Sequence, residues 1–194
     1  MDDYLTIAGP ASGIFKDRGS KFLSYAYPVI SKEEIKEHLN NLRKMHYDAR
    51  HICYAYRLDE TTYRTSDDGE PMHSAGDPIW GRLQSKNVLF TLVAVVRYFG
   101  GTKLGVPGLI NAYKTAADIA LNNAELVEKY YTIDIKVTYN YDQTSTVERL
   151  IASFNALIKE QTYMDKCQLV LSVRDSLSDN FINNIPENIH YELI

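Results

Sequence analysis

Between residues 31 and 47, SKEEIKEHLNNLRKMHY, apolar side chains recur at helical spacing. Ile35, Leu39, Leu42 and Met45 share one face, and Lys and Glu occupy the other. Ser31 and Glu34 stand at capping-box spacing, which predicts the helix start. Before it, KFLSYAYPVI (21–30) is rich in aromatic and β-branched residues and predicts a strand ending near Pro28. After it, HICYAYRL (51–58) alternates as a strand does, and the polar stretch DETTYRTSDDGEP (59–71) has turn chemistry at Asp68-Gly69. A short helix is expected within residues 74–85. The near-continuous apolar run NVLFTLVAVVRYF (87–99) predicts a central strand covered on both faces. Gly100, Gly101, Gly105 and Gly108 punctuate the loop beyond it, and Pro107 opens a helix to about Asn123.

From Tyr130 the texture changes. YTIDIKVTY reads as a strand, DQTSTVERLIASFNA as a helix that Asp142 can cap, and ALIKEQTY and KCQLVLSV as two strands. LSDNFINNI is a short helix and NIHYELI a last strand. The order β-α-β-β-α-β is that of a split-βαβ, ferredoxin-like domain. The expected organisation is therefore α+β in two domains, 1–128 and 129–194, packed together because no Pro/Gly/Ser-rich linker separates them.

The chain has 194 residues, 45% of them hydrophobic and 24% charged, which excludes a disordered tail, a collagen-like repeat and a disulfide-framed miniprotein. No apolar run reaches the ~18 residues of a spanning helix, and the start MDDYLTIAGP is acidic, so a cytoplasmic protein is expected. Cys53 and Cys167 are too few for a disulfide scaffold or a cysteine zinc site. The net charge of −4 lies wholly in residues 130–194, which hold 5 Lys/Arg and 9 Asp/Glu. Such an acidic part gains nothing from counterion release, so contact with nucleic acid falls to the N-terminal part.

Chemistry concentrates in four segments: FKDRGSKF (15–22), DARHICYAYR (48–57), RTSDDGEPMHSAGDP (64–78) and VRYFGGTKLGVPGLINAY (96–113). In the last, a buried strand delivers Arg97 and Tyr98 to a loop of Gly100, Gly101, Lys103 and Gly105 that runs into a helix N-terminus. Backbone amides, a helix dipole and two cations suit a phosphate or other oxyanion. Neither a Walker A loop nor G-x-G-x-x-G is present, and the glycines can equally serve as a plain strand–helix turn. Asp67, Asp68 and Glu70 can hold Mg²⁺ beside such an anion, or form a solvated Asp-Gly turn that caps the following helix. Arg50 and His51 are binding candidates. Cys53, inside an apolar strand, is expected to be buried and inert rather than a nucleophile paired with His51. His38 and His46 are expected on a solvated helix face. Tyr54 and Tyr56 can stack on bases but fit better as core or half-core. No catalytic residue, metal ligand set or cofactor is assigned.

Taken together, the four segments resemble the IMPACT/YigZ family. The resemblance lies in Arg18-Gly19-Ser20-Lys21-Phe22, in His51-Ile52-Cys53-Tyr54-Ala55-Tyr56-Arg57, in Ser66-Asp67-Asp68-Gly69-Glu70-Pro71, and in Arg97-Tyr98-Phe99-Gly100-Gly101-Thr102-Lys103-Leu104-Gly105. It covers about residues 10–125 and departs at Met72-His73-Ser74, where relatives carry a small Gly-Thr-type turn. It implies an N-terminal α/β domain of ribosomal-protein and GHMP-kinase type, resembling domain IV of elongation factor G. The second domain is then the ferredoxin-like one of bacterial members, resembling domain V of that factor. Eukaryotic relatives regulate translation initiation by binding an activator of a stress kinase, with an additional N-terminal module.

Two functions are open on this basis. One is a non-enzymatic, translation-linked factor that binds RNA, ribosome or a protein partner through the N-terminal domain. The other is an enzyme or ligand binder for a small phosphorylated compound at the glycine loop.

Overall fold

The computed structural model describes residues 3–194; Met1 and Asp2 of the acidic start lie outside them. Its elements are β1 (Asp3–Ile7), β2 (Ala11–Asp17), β3 (Ser20–Pro28), α1 (Lys32–Met45), β4 (His51–Arg57), β5 (Tyr63–Ser66), α2 (Gly76–Lys86), β6 (Thr91–Tyr98) and α3 (Gly105–Asn123). They continue as β7 (Leu126–Tyr130), β8 (Thr132–Tyr139), α4 (Thr144–Phe154), β9 (Leu157–Tyr163), β10 (Cys167–Arg174), α5 (Asp175–Asn183) and β11 (His190–Leu193). The described chain divides into two compact units, Leu5–Glu128 and Lys129–Ile194, the latter together with Asp3 and Tyr4. β1 and β7 pair as a two-stranded sheet.

In the first unit the strands form an antiparallel sheet in the order β2-β3-β6-β4-β5. The apolar run at 87–99 supplies its middle strand, β6, buried from Thr91 to Arg97. Alternation splits the strands between two cores. Phe22, Ala26, Cys53, Ala55, Val93 and Val95 face α2 and α3. Tyr54, Tyr56, Leu92, Ala94 and Val96 face the α1 side, with Ile35, Leu39 and Leu42. Small residues let α3 lie close: Ala112, Ala116, Ala117 and Ala120 are wholly buried.

Four strands are absent from the sequence reading. β1, β2 and β7 lack a strong pattern, and β5 falls inside the polar stretch, where Tyr63–Ser66 extends β4 only because backbone pairing needs no apolar side chain. The α1 start also differs in detail. Ser31 Oγ accepts from the Glu34 amide at 3.2 Å, but Glu34 reaches past the cap to the Ile30 amide at 2.8 Å.

In the second unit the order is β8-α4-β9-β10-α5-β11, with strands arranged β11-β8-β10-β9, all antiparallel. Ile135, Val137, Leu169, Leu171 and Val173 pack against Val147, Leu150 and Phe181. The cap ahead of α4 is Asn140, not Asp142. Asn140 and Gln143 form a reciprocal box around a single 3₁₀ turn, Tyr141–Gln143, that leads into the helix. Among the described residues no helix is long and apolar enough to cross a membrane.

Candidate functional site

The acidic turn is built from backbone first. Asp68 and Gly69 both take positive φ, +42° and +87°, and the Glu70 amide donates to the Asp67 carbonyl at 2.9 Å. This two-residue turn of I′ type sends its three carboxylates in different directions. Asp67 accepts from the amides of His73, Ala75 and Gly76 at 2.8–2.9 Å and so caps α2. Asp68 Oδ2 accepts from the Ile52 amide at 2.6 Å and from Arg43 at 2.7 Å. It stands in for a neighbouring strand where β4 has run beyond β5. Glu70 turns inward. Its Oε1 accepts from Arg97 Nη1 at 2.6 Å and from the Tyr113 hydroxyl at 2.7 Å, and its side chain is 4% exposed.

With the three carboxylates sent to separate partners, the turn does not gather them around one point where Mg²⁺ could sit. Among the described residues no three His, Cys, Asp or Glu side chains gather as a metal site.

Two glycines of the glycine loop act on the backbone. A Cβ on Gly100 would lie 1.8 Å from the Gly19 carbonyl carbon, and the Gly100 amide donates to Ser20 Oγ at 3.1 Å. The partner is the β2–β3 hairpin turn, where Arg18 and Gly19 have φ of +43° and +80°. Gly101 has open space around it but a φ of +90°. These two positions fold the loop, and neither lines the cavity described next.

A cavity of about 610 Å³ lies at this end of the sheet. Asp48, Arg50, His51, Glu70, Arg97 and Lys103 contribute its charged or titratable lining, with Tyr98 and Gly105 beside them. Phe99, Leu104, Val106 and Leu109 make apolar walls. The structure thus gathers seven of the eleven residues marked in the sequence; Asp67, Asp68, Gly100 and Gly101 stay outside. The His51 Nδ1–H donates to the Asp68 carbonyl at 2.8 Å, which leaves Nε2 as an acceptor. Arg97 lies between Phe22 and Phe99, each ring centroid 5.6 Å from its guanidinium. Cys53 is buried, donates to the Asp67 carbonyl at 3.0 Å, and has its thiol pushed well up by burial. Burial, then Cys53 and Glu70, push the Tyr113 hydroxyl up as well.

A feature the sequence reading placed elsewhere adjoins the cavity. His46 is buried rather than solvated, 8% exposed. Its Nε2 meets the Tyr25 hydroxyl at 2.9 Å and its Nδ1 the Tyr98 hydroxyl at 3.0 Å. Tyr98 donates to Asp48 at 3.1 Å, so it accepts from Nδ1–H, and Nε2 accepts from Tyr25. Burial lowers the His46 pKa, against the opposing pull of Asp48, which suits this neutral tautomer. The signal available in the sequence was helical position, since His46 follows Leu42 by four.

Residues 18–121 match the family model described as the Impact N-terminal domain, and residues 137–189 match a domain of unknown function, DUF1949. The IMPACT family member YvyE of Bacillus subtilis is 30% identical, with 93% of this chain and 84% of that protein covered. The chain belongs to the IMPACT family. Protein IMPACT of Oryctolagus cuniculus is 35% identical over 60% of this chain, which spans about a third of that longer protein, 36% of its length. A crystal structure described as that of a hypothetical protein aligns with a TM-score of 0.74 at 26% identity, covering 100% of this chain and 98% of its own. Within the family segments, the geometry separates folding from exposed chemistry. Arg18-Gly19-Ser20 and Gly100-Gly101 shape the turns, whereas Arg50, His51, Arg97 and Lys103 line the cavity.

Proposed function

We propose that this IMPACT family member is a non-enzymatic, translation-linked factor that binds RNA through its N-terminal unit, at the cavity between the β6 end and the α3 start. One observation carries the reading. Arg50 and Lys103 line a largely apolar, aromatic cavity beside a helix N-terminus, and neither has a salt bridge or hydrogen bond among the described residues. Paired cations and aromatic faces are what a phosphate backbone and its bases require. The link to translation comes from the family resemblance; ribosome and protein partners belong to the same reading. We place the protein in the cytoplasm, where that work is done.

The reading takes residues 1–128 and 129–194 as its two domains. It takes the first as a ribosomal-protein and GHMP-kinase type domain like domain IV of elongation factor G. The second is then ferredoxin-like, as is domain V of that factor, and its strand arrangement β11-β8-β10-β9 supports this.

A filter-binding series on the full chain with single-stranded RNA at increasing salt tests the proposal. Affinity should fall linearly on a log–log plot, by a slope of about 0.7 per phosphate contacted. Arg50→Ala and Lys103→Ala should each lower that slope by up to about one contact. Absence of binding, or binding indifferent to salt, removes the RNA reading. The second reading, a small phosphorylated ligand, is favoured by the cavity volume alone, since ~300–1,000 Å³ is usual for small-molecule sites.

A further inference from the structure

We infer that the cavity takes a nucleoside bearing a terminal phosphate, presented as a free nucleotide or as the phosphorylated end of an RNA strand. The inference deepens the RNA reading of the same site and rests on it for the choice of polymer. Three sets of groups carry it, each matched to a different part of such a ligand.

The anion comes first. Arg50 and Lys103 are unpaired among the described residues, and the first turn of α3 has no side-chain cap over the Gly105 and Val106 amides. Asp48 also lines the cavity and accepts from the Tyr98 hydroxyl, while Glu70 is paired with Arg97, so Arg50 and Lys103 outnumber the one carboxylate left without a cation. A terminal phosphate carries about −1.5 to −2 at neutral pH, which two cations and a helix N-terminus answer. A ring comes second. Tyr98 and Phe99 line the same space, Phe99 57% exposed, with Leu104 and Leu109 near them. Aromatic rings, one exposed and one half-buried, beside aliphatic walls suit a flat heterocycle.

The buried wall supplies the third set. Arg97 is more than nine-tenths buried; Nη1 holds Glu70, while its Nε is buried with no partner among the described residues. Glu70 Oε1 takes two hydrogen bonds, and Oε2 takes none among the described residues. His51 offers Nε2 as an acceptor because Nδ1–H is committed to the Asp68 carbonyl. Both residues line the cavity, and acceptors there suit a ligand with N–H or O–H donors, such as a base edge or ribose hydroxyls, in addition to its anion.

Calorimetric titration of the full chain tests this with nucleoside monophosphates, the matching unphosphorylated nucleosides, and inorganic phosphate. The monophosphates should bind at least about tenfold more tightly than either fragment, the range of a charged hydrogen bond. Lys103→Ala, an exposed-loop change that spares the fold, should reduce monophosphate affinity about tenfold and leave nucleoside affinity alone. His51→Ala should weaken both. RNA of one sequence, with and without a terminal phosphate, then separates the sources: preference for the phosphorylated RNA assigns the strand end, and indifference with tight mononucleotide binding assigns the free nucleotide. Equal affinity for nucleoside and monophosphate, or no binding of either, overturns the inference. Salt-dependent RNA binding without mononucleotide binding overturns it alone and leaves the RNA reading standing. Mononucleotide binding without RNA binding does the reverse.

Discussion

Arg97 and Glu70 meet at 2.6 Å with side chains 8% and 4% exposed, one from the end of a central strand and the other from a turn 27 residues earlier. The pair joins the β6 end to the acidic turn, and Tyr113 of α3 adds its hydroxyl to the same oxygen. A sheet end, a turn and a helix are thereby locked around one carboxylate. Glu70→Ala leaves Arg97 buried and uncompensated, and should cost about 3–5 kcal/mol in urea unfolding. Tyr113→Phe should cost less, about 1–3 kcal/mol, and the double variant should fall short of the sum. Strict additivity would show that the three groups do not act as one network.

The Asp67 carboxylate serves the entry to α2. Asp67→Ala removes the acceptor of three amides and should destabilise the protein by about 1–2 kcal/mol, with Asp67→Asn recovering part of it. Full stability of the alanine variant in thermal unfolding would show that water replaces the cap.

The two loop glycines should answer differently to the same change. Gly100→Ala forces a Cβ to within 1.8 Å of the Gly19 backbone, where no flexible side chain can yield, and should destabilise by about 3 kcal/mol or fail to fold. At Gly101 the space is open and only the positive φ resists, so alanine should cost about 1–2 kcal/mol. Valine at 101 should cost more, since a β-branched side chain is the least tolerant of φ +90°. Chevron or urea midpoints rank the three.

His46 makes stability depend on pH in a set direction. Its folded pKa lies below the ordinary 6.5, so the unfolded chain takes up the proton first as pH falls. Stability is full above about pH 6.5, declines as pH drops below it, and levels off once the folded form protonates too. His46→Gln should flatten the difference in urea midpoint between neutral pH and pH ~5. An unchanged pH profile would mean other groups set it.

Cys53 should resist alkylation. Its thiol is buried, hydrogen-bonded to the Asp67 carbonyl, and raised by burial, so labelling at neutral pH should run at the rate of opening rather than of a free thiol. Labelling as fast in the native as in the urea-unfolded protein would contradict that placement.

Periodicity alone determined α1, the central β6, the glycine-punctuated entry to α3 and the β-α-β-β-α-β order of the second unit, because each buries a face whose spacing is written locally in the chain. Of the eleven residues that the short motifs singled out, seven line one cavity. What sequence could not separate was role. Asp67, Asp68 and Glu70 are near neighbours in sequence, yet they cap a helix, complete a strand and enter the core, a division set by a turn with two successive positive φ values. His46 reads as one more polar residue on a helix until Tyr25 and Tyr98, from two other strands, close around it. Long-range partners decided these roles, since burial and hydrogen bonding depend on which segments meet, and residues 21 to 52 positions apart leave no local pattern to announce it.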